Sequence, residues 1–267
     1  MTTRLDPAAY LAHIKAESAR FLDVLSTCPP DARVPSCPDW DAADLLWHLG
    51  TVQYFWHKII STRPAGPDDY VEPERPETYA ELLAFFATTH DSFVAALAAA
   101  RPEEQAWSWS LPTDQNVAFT FRRQAHEALI HRLDAELAAG VSSSMPADLA
   151  TDGVHEALDV MFGGLPPWGT FTPQPTYVDY RITDTGVSIW AQIGTFAGTS
   201  PEGKAYDGEP DQHVVPDPGV APALVVSGTA ADLDAWLWHR VGDERVSIEG
   251  DDAVRAVVTA VLGQSID

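Results

Sequence analysis

Hydrophobic positions in the first half of the chain recur every three or four residues, the spacing of amphipathic helices. Asp6-Pro7 is typical of a helix start, and the apolar positions after it continue to Pro29-Pro30. The same pattern predicts three more helices: from Asp39 or Asp41 to about Ser61, over about 77–100, and over about 119–139, ending at Gly140. The segment 64–76, rich in Pro, Asp and Glu, is predicted to be an acidic loop. Four helices joined by loops of medium length predict a four-helix bundle.

The pattern changes after the fourth helix, where a linker of Ser, Pro and Ala over 142–147 leads into a mixed segment. Alternating β-branched and aromatic residues predict strands, and capped amphipathic stretches predict helices. The strands are predicted at 177–182, 187–193, 223–227 and 245–248, and the helices near 151–162, 229–241 and 251–262. This order predicts a small α+β domain. We therefore expect an α+β protein of two domains, a four-helix bundle over 1–141 and an α+β domain over 148–267.

Charge and composition narrow the range of partners. The 267 residues include 16 Lys and Arg against 39 Asp and Glu, which gives a net charge of −23. Such an acidic surface repels phosphate backbones and anionic lipid headgroups, which argues against nucleic-acid and membrane partners. Residues 1–15 lack the apolar segment of a signal peptide, and Cys28 and Cys37 are too few for a disulfide framework. We therefore expect a cytoplasmic monomer or homodimer that acts on small molecules.

Three polar side chains occupy positions where a bundle needs hydrocarbon. His48 lies on the apolar face of the second helix. Glu127 and His131 are four residues apart in the fourth helix, so they stack about one turn apart on one face. His126 is five residues from His131, or roughly 140° around the helix, and cannot readily share a ligand sphere with it. The spacing selects Glu127 with His131 and leaves His126 as a bystander, unlike the His-Glu-x-x-His pattern of zinc peptidases.

Two imidazoles and one carboxylate form the ligand set of a catalytic zinc site, in which one coordination position stays open. Asp44, four residues before His48, and Asp134, three after His131, are candidates to accept a hydrogen bond from the second ring nitrogen of each histidine. The same residues also have simpler interpretations. His48 fits a core histidine, Glu127 and His131 fit a surface ion pair, and Asp134 fits a partner for a neighbouring arginine.

Three motifs resemble one known family. They are Cys37-Pro38-Asp39-Trp40 followed by Asp44-Leu45-Leu46-Trp47-His48-Leu49; the block Arg123 to Ala135, which contains Glu127, His131 and Asp134; and Val226 to Leu233 with Trp236-Leu237 and Arg240, continued by Val246 to Asp251. In this order they are similar to the maleylpyruvate isomerase family of mycothiol-dependent enzymes, over about residues 8–262. The N-terminal domain of that family has the DinB-like four-helix-bundle fold, and its C-terminal domain is α+β.

The resemblance implies zinc or another divalent metal held by His48, Glu127 and His131. It also implies mycothiol, a low-molecular-weight thiol of actinobacteria, as the thiol cosubstrate. A metal-bound thiol is deprotonated, whereas a free thiol is mostly protonated at neutral pH. Addition of the thiolate to an electrophilic small molecule makes an S-transferase, and addition followed by rotation and elimination makes a cis–trans isomerase. In the C-terminal domain the resemblance implies a catalytic Arg240 that binds a substrate or cofactor carboxylate.

Two other functions are compatible with these residues. A zinc-dependent hydrolase would need Asp44 or Asp134 as the general base for an attacking water. A non-catalytic small-molecule-binding protein would need only the pocket. The sequence has no Gly-x-Ser-x-Gly, P-loop or Gly-x-Gly-x-x-Gly motif that would supply a different chemistry.

Overall fold

The computed structural model describes residues 3–264. The chain forms two compact units, Leu5–Met145 and a second unit built from 146–264 together with residues 3 and 4. The first unit is helical and the second combines helices with a sheet, which confirms the two-domain α+β class.

Four α-helices make up the first unit, in which every residue is described: α1 (Pro7–Thr27), α2 (Ala42–Thr62), α3 (Tyr79–Ala99) and α4 (Val117–Ala139). α1 packs mainly on α4 and α2 mainly on α3, and α4 also contacts α2. Apolar side chains from several helices meet in one core, among them Phe21, Leu25, Leu45, Leu49 and Phe86. The predicted four-helix bundle is therefore confirmed.

Side-chain caps set where these helices begin. Asp6, Asp41, Thr78 and Asn116 each accept a hydrogen bond from a backbone N–H in the first turn of the helix that follows. Each cap satisfies a donor that has no partner inside the helix. At the other end of α4, Gly140 adopts a left-handed conformation, φ 66°, in which a Cβ would be strained.

A buried ion network joins α1 to α4. The Arg132 side chain is 1% exposed and donates to Glu17 Oε2 at 2.7 Å and to Glu136 Oε2 at 2.8 Å. Arg20 donates to the other oxygen of Glu136 at 2.9 Å, and the Ser143 hydroxyl and N–H also donate to Glu136. Hydrogen bonds therefore compensate for the removal of these charges from water.

Among the described residues, α3 is a helix whose length and apolar composition, mean hydropathy 1.4, would suffice to cross a membrane. Its residues Leu82, Phe86, Phe93 and Leu97 are buried in the bundle. The core helices of globular bundles share this composition, so the length and hydropathy of α3 are only weak evidence for a membrane span.

The second unit contains α5 (Ala147–Glu156), which continues as a π-helical turn over Ala157–Met161, and the helices α6 (Ala230–Leu237) and α7 (Asp252–Leu262). Its strands are β1 (Gly169–Ile182), β2 (Val187–Thr199), β3 (Ala205–Val215), β4 (Leu224–Gly228) and β5 (Ser247–Gly250). Within residues 3–264 they form one sheet of order β3-β2-β1-β4-β5. β1 pairs antiparallel with β2 and parallel with β4, and the β2–β3 and β4–β5 pairs are antiparallel.

The sheet is larger than the sequence predicts. The hydrophobic pattern misses β3, which contains Gly208 and Pro210, because it forms an edge of the sheet, where a residue without an N–H is tolerated. β1 begins well before 177, and its first half contains Pro173 and Pro175. β4 pairs with β1 only from Val178 onward, so these prolines leave the β1–β4 ladder intact.

Candidate metal centre

α2 and α4 bring His48, Glu127 and His131 together. Glu127 Oε1 lies 3.5 Å from His48 Nε2 and 3.1 Å from His131 Nε2. The centroids of the two imidazole rings are 4.7 Å apart, and the rings meet edge to face. One ligand atom of each residue lies within 4.8 Å of those of the other two. The structure therefore collects the three predicted ligand side chains in one cluster.

The spacing of these atoms suits a divalent metal ion. Zinc binds histidine nitrogen and carboxylate oxygen at about 2.0–2.2 Å, so two tetrahedral ligand atoms lie roughly 3.4 Å apart. The separations of 3.1 and 3.5 Å bracket that value. Two imidazole nitrogens and a carboxylate oxygen are also donors that catalytic zinc accepts. The residues present fit such an ion.

Further hydrogen bonds orient two of the three side chains. His131 Nδ1 lies 3.0 Å from Asp134 Oδ2, as the spacing of these residues predicts, and this leaves Nε2 directed at Glu127. Asp134 also accepts a hydrogen bond from the Ser36 hydroxyl. Arg123 donates to Glu127 Oε2 at 3.1 Å and leaves Oε1 for the two histidines. Contacts of this kind fix the rotamer and tautomer of metal ligands.

The pKa values of the cluster follow from its burial and its charged partners. Burial alone would raise the pKa of Glu127, but hydrogen bonds from His131 and His48 and the charge of Arg123 hold it well below its ordinary value. Burial alone would lower the pKa of His131, but Asp134 and Glu127 raise it to about 9. In the absence of a metal, the cluster therefore contains an imidazolium and a carboxylate at neutral pH.

We expect the His131 imidazole of the metal-free protein to lose its proton only near pH 9, because two carboxylates stabilise the charged ring. Since a metal needs the lone pair on Nε2, metal affinity should rise with pH up to that value. Replacing Asp134 with asparagine should move the pKa of His131 down toward its ordinary value. Histidine NMR shifts of both metal-free proteins measure the two pKa values, and equal values would contradict the assigned role of Asp134.

Trp40 contacts both histidines of the cluster. Its ring centroid lies 4.7 Å from that of His48 and 6.4 Å from that of His131. The sequence motif contains Trp40 but assigns it no role, and Ser36 carries no sequence signal of its own. Both residues reach the cluster from the hydrogen-bonded turns over 33–41, which helical periodicity does not reveal.

Asp44 does not have the role that its spacing predicts. Its carboxylate accepts a hydrogen bond from the Asp41 N–H, in the capping box of α2, and another from Arg75 at 2.8 Å. Burial would raise the pKa of Asp44, but these two partners lower it. The prediction that Asp44 orients His48 is therefore wrong, because the start of α2 and Arg75 occupy the carboxylate.

His126 lies outside the cluster, as its spacing predicts. The residue is 1% exposed, and its ring packs edge-on against Tyr10 of α1 with centroids 6.2 Å apart. The roughly 140° that separates it from His131 around α4 places the two imidazoles on different faces of the helix.

Both units of the chain match domains of one protein family. A family model described as the mycothiol maleylpyruvate isomerase N-terminal domain matches residues 11–136, and the model of the C-terminal domain of the same family matches 148–256. The chain belongs to the mycothiol-dependent maleylpyruvate isomerase family. The resemblance carried by the sequence motifs is confirmed, and as a member of this family the protein is an enzyme.

Solved structures of the mycothiol-dependent maleylpyruvate isomerase have the same fold. One crystal structure aligns with a TM-score of 0.51 at 14% sequence identity, covering 92% of this chain and 93% of the other. A mutant of that enzyme, in which a histidine is replaced by alanine, aligns with a TM-score of 0.58 at 12% identity and the same coverage. At this identity the likeness establishes the fold. Among proteins of curated function, none matches the sequence.

Proposed function

We propose that this member of the maleylpyruvate isomerase family holds zinc on His48, Glu127 and His131 and activates mycothiol for addition to an electrophilic small molecule. The observation that supports this is the convergence of one ligand atom from each residue within 4.8 Å. A metal ion bound there supplies a thiolate at neutral pH by lowering the pKa of the thiol. Of the chain's own thiols, Cys28 is unsuited to this role, since it is buried and burial raises its pKa.

The residues around the cluster prepare it for this chemistry. Asp134 accepts a hydrogen bond from His131 Nδ1–H and holds the ring so that Nε2 is the ligand atom. Arg123 fixes the carboxylate of Glu127 and offsets part of its charge. The His48 side chain is 34% exposed, so the cluster is open to a small molecule on that side.

Arg240, in the second unit, is the proposed anchor for a carboxylate of the substrate or cofactor. α6 ends at Leu237, earlier than the predicted 241, and its last carbonyls accept hydrogen bonds from the N–H groups of His239 and Arg240. This is the Schellman pattern, in which the residue after the helix takes a left-handed conformation. His239 does so with φ 60°. The cap fixes the backbone of Arg240, and Nη1 of its side chain donates to the Trp238 carbonyl at 2.6 Å. A planar guanidinium has five N–H donors and can donate two parallel hydrogen bonds to a carboxylate.

The contacts of two aspartates argue against a zinc-dependent hydrolase. Such an enzyme needs a carboxylate placed to take a proton from the attacking water. Asp134 is bonded to His131 and to Ser36, and Asp44 is bonded to Arg75 and to the first turn of α2. Because neither carboxylate is placed as a general base for water, activation of a thiol is favoured.

One addition step serves two reactions. In maleylpyruvate isomerase chemistry, the thiolate adds to an activated double bond, the resulting single bond rotates, and elimination of the thiolate restores the double bond in the other configuration. If the carbanion left by the addition instead takes up a proton from solvent, the adduct is a stable thioether and the enzyme is an S-transferase. We propose mycothiol addition as the step common to both.

Removing the metal tests this proposal. The purified protein should contain about one zinc per chain, as expected for a three-ligand catalytic site. Chelation should lower mycothiol-dependent conversion of maleylpyruvate, or of an activated alkene such as N-ethylmaleimide, at least about 100-fold, and added zinc should restore it. Elemental analysis and product chromatography measure the two quantities, with a reaction lacking thiol as the control. Turnover that survives chelation, or that needs no thiol, would contradict the proposal.

A further inference from the structure

A cavity of about 300 Å³ lies between the second half of α2 and the loop that follows it. Tyr54, Lys58 and Thr62 contribute from α2, and Asp69 and Tyr70 contribute from the loop. The loop is the acidic segment for which the sequence predicts no role. The volume of the cavity is at the lower end of the range for small-molecule sites, which begins at about 300 Å³.

The loop that forms one wall of the cavity is fixed by an ion pair at each of its ends. Arg63 donates to Glu104 Oε2 at 2.6 Å, and Arg75 donates to Asp44 Oδ1 at 2.8 Å. Between these ion pairs, Gly66 lies against the indole of Trp107, where a Cβ would be only 3.0 Å from the ring. A loop fixed in this way loses little conformational entropy when a ligand binds.

Aromatic rings support the loop from the side of α2. The Tyr70 ring packs edge-on against Phe55 with centroids 5.0 Å apart, and Tyr54 and Tyr70 are 6.2 Å apart. The Lys58 ammonium lies 4.9 Å from the centroid of the Tyr54 ring. The cavity therefore combines aromatic surface with an ammonium, a carboxylate and three hydroxyl groups.

Donors and acceptors of this kind, set beside aromatic rings, suit a ligand rich in hydroxyl groups. The Lys58 ammonium donates, the Asp69 carboxylate accepts, and the hydroxyls of Tyr54 and Tyr70 can do both. The Thr62 hydroxyl donates to the Lys58 carbonyl at 2.9 Å and so faces a ligand as an acceptor. A polyol or sugar ring has an apolar edge of C–H groups for the tyrosine rings and hydroxyls for the polar atoms. A strongly anionic ligand would be opposed by Asp69 and by the net charge of −23.

The cavity lies beside the same helix as the metal centre, α2, but nearer to the C-terminal end of that helix. Tyr54 and Lys58 are six and ten residues after His48, so they lie about 9 and 15 Å farther along the helix axis. Lys58 and Thr62 project within roughly 80° of the direction of His48, at 100° per residue. Thr51, Val52 and Phe55 lie between the two sites and are partly exposed.

We propose that this cavity binds the sugar portion of mycothiol while the thiol lies at the metal centre. Mycothiol is a cysteine derivative joined to glucosamine and inositol, and a molecule of one cysteine and two rings is long enough to span the distance along α2. This inference rests on the proposed function. Binding energy from the rings would hold the sulfur in place at the reacting end, as remote contacts do in other enzymes.

Kinetics with two thiols test the cavity. Asp69→Ala, Tyr70→Phe and Lys58→Met should raise the KM for mycothiol about three- to tenfold for each hydrogen bond lost, and more for Lys58→Met. The KM for N-acetylcysteine, which lacks the sugar, should not change, nor should the zinc content. Asp68→Ala is the matched control, since Asp68 is the exposed neighbour of Asp69 and does not line the cavity.

The outcomes separate this inference from the proposed function. If the wild-type enzyme contains zinc and uses mycothiol, but the cavity variants change the KM for both thiols equally or for neither, the cavity does not bind the sugar and the metal chemistry stands. A change in the KM for the electrophile alone would also overturn the inference, because the cavity would then belong to the other substrate. If the wild-type enzyme uses no thiol, the proposed function itself fails.

Discussion

Replacing His131 with alanine is expected to weaken zinc binding more than about 100-fold, beyond the roughly 10–100-fold range for residues that only orient a ligand. The variant loses one of the three side chains that converge on the centre, and it also leaves Glu127 and Asp134 without their shared partner. Mycothiol-dependent turnover should fall to the level of the reaction without enzyme. Titration with a chromophoric zinc chelator measures the affinity, and product chromatography measures the turnover.

Three further variants show whether the effect comes from the metal. His48→Ala should reproduce the loss with less risk to folding, because His48 is partly exposed. Above about pH 9, where the His131 ring has lost its proton in both proteins, Asp134→Asn should weaken zinc binding by only about 10–100-fold. His126→Gln, on another face of α4, should keep the metal and the activity. If circular dichroism shows a folded His131→Ala chain that still holds one zinc, the assignment of this ligand is wrong.

Replacing Arg132 with alanine is expected to lower the free energy of unfolding by about 3–5 kcal/mol, the usual cost of breaking a buried ion pair from one side. Glu136 keeps Arg20 and Ser143 as partners, but Glu17 is 6% exposed and loses the guanidinium that pairs with it. The cost arises from a carboxylate left in the interior without its cation. Urea denaturation followed by circular dichroism measures the change.

A surface arginine provides the matched control for Arg132. Arg101 also lies near two glutamates, Glu103 and Glu104, but its side chain is 72% exposed. Arg101→Ala should cost about 0–1 kcal/mol, because water screens such pairs. Replacing both partners, Glu17→Leu with Arg132→Met, should recover part of the loss, since no unpaired charge remains. Equal effects of Arg132→Ala and Arg101→Ala would show that the buried network contributes little.

The helical bundle could be predicted closely because its signals act within one turn of chain. Asp6 and Asp41 cap the helices that follow them, and Gly140 ends α4 in the conformation that glycine favours. Only α4 begins earlier than its apolar spacing predicts, since Asn116 caps it. Local chemistry alone sets such boundaries, so a single sequence contains the information.

The sheet could be predicted only in part, because strand pairing depends on distant segments. Pro210 interrupts the pattern of β3, and Pro173 and Pro175 interrupt that of β1. A proline is acceptable in a strand at a sheet edge or at a bulge such as the register shift between Pro173 and Tyr177, and these are properties of the assembled sheet. The hydrophobic pattern therefore finds the central strand segments and misses their extensions and the edge strand.

The candidate metal centre could likewise be predicted only in part. The pair Glu127 and His131 follows from spacing within one helix, and so does the contact of His131 with Asp134. His48 lies on another helix, so spacing does not link it to this pair; the number of ligands that a zinc site needs and the family resemblance predict its place. The role predicted for Asp44 was wrong because Arg75, 31 residues away in sequence, reaches its carboxylate. Contacts between elements are set by packing, which the period of one helix does not encode.

The two edges of the sheet affect how readily the protein aggregates at high concentration. An exposed edge strand presents unpaired N–H and C=O groups on which another chain can form a new strand. On β3, Pro210 lacks an N–H, and Asp207 and Glu209 add negative charge beside it. At the opposite edge, β5 is only 4 residues long. Both edges are therefore poor templates, and copies of the enzyme are protected from joining sheet to sheet into aggregates.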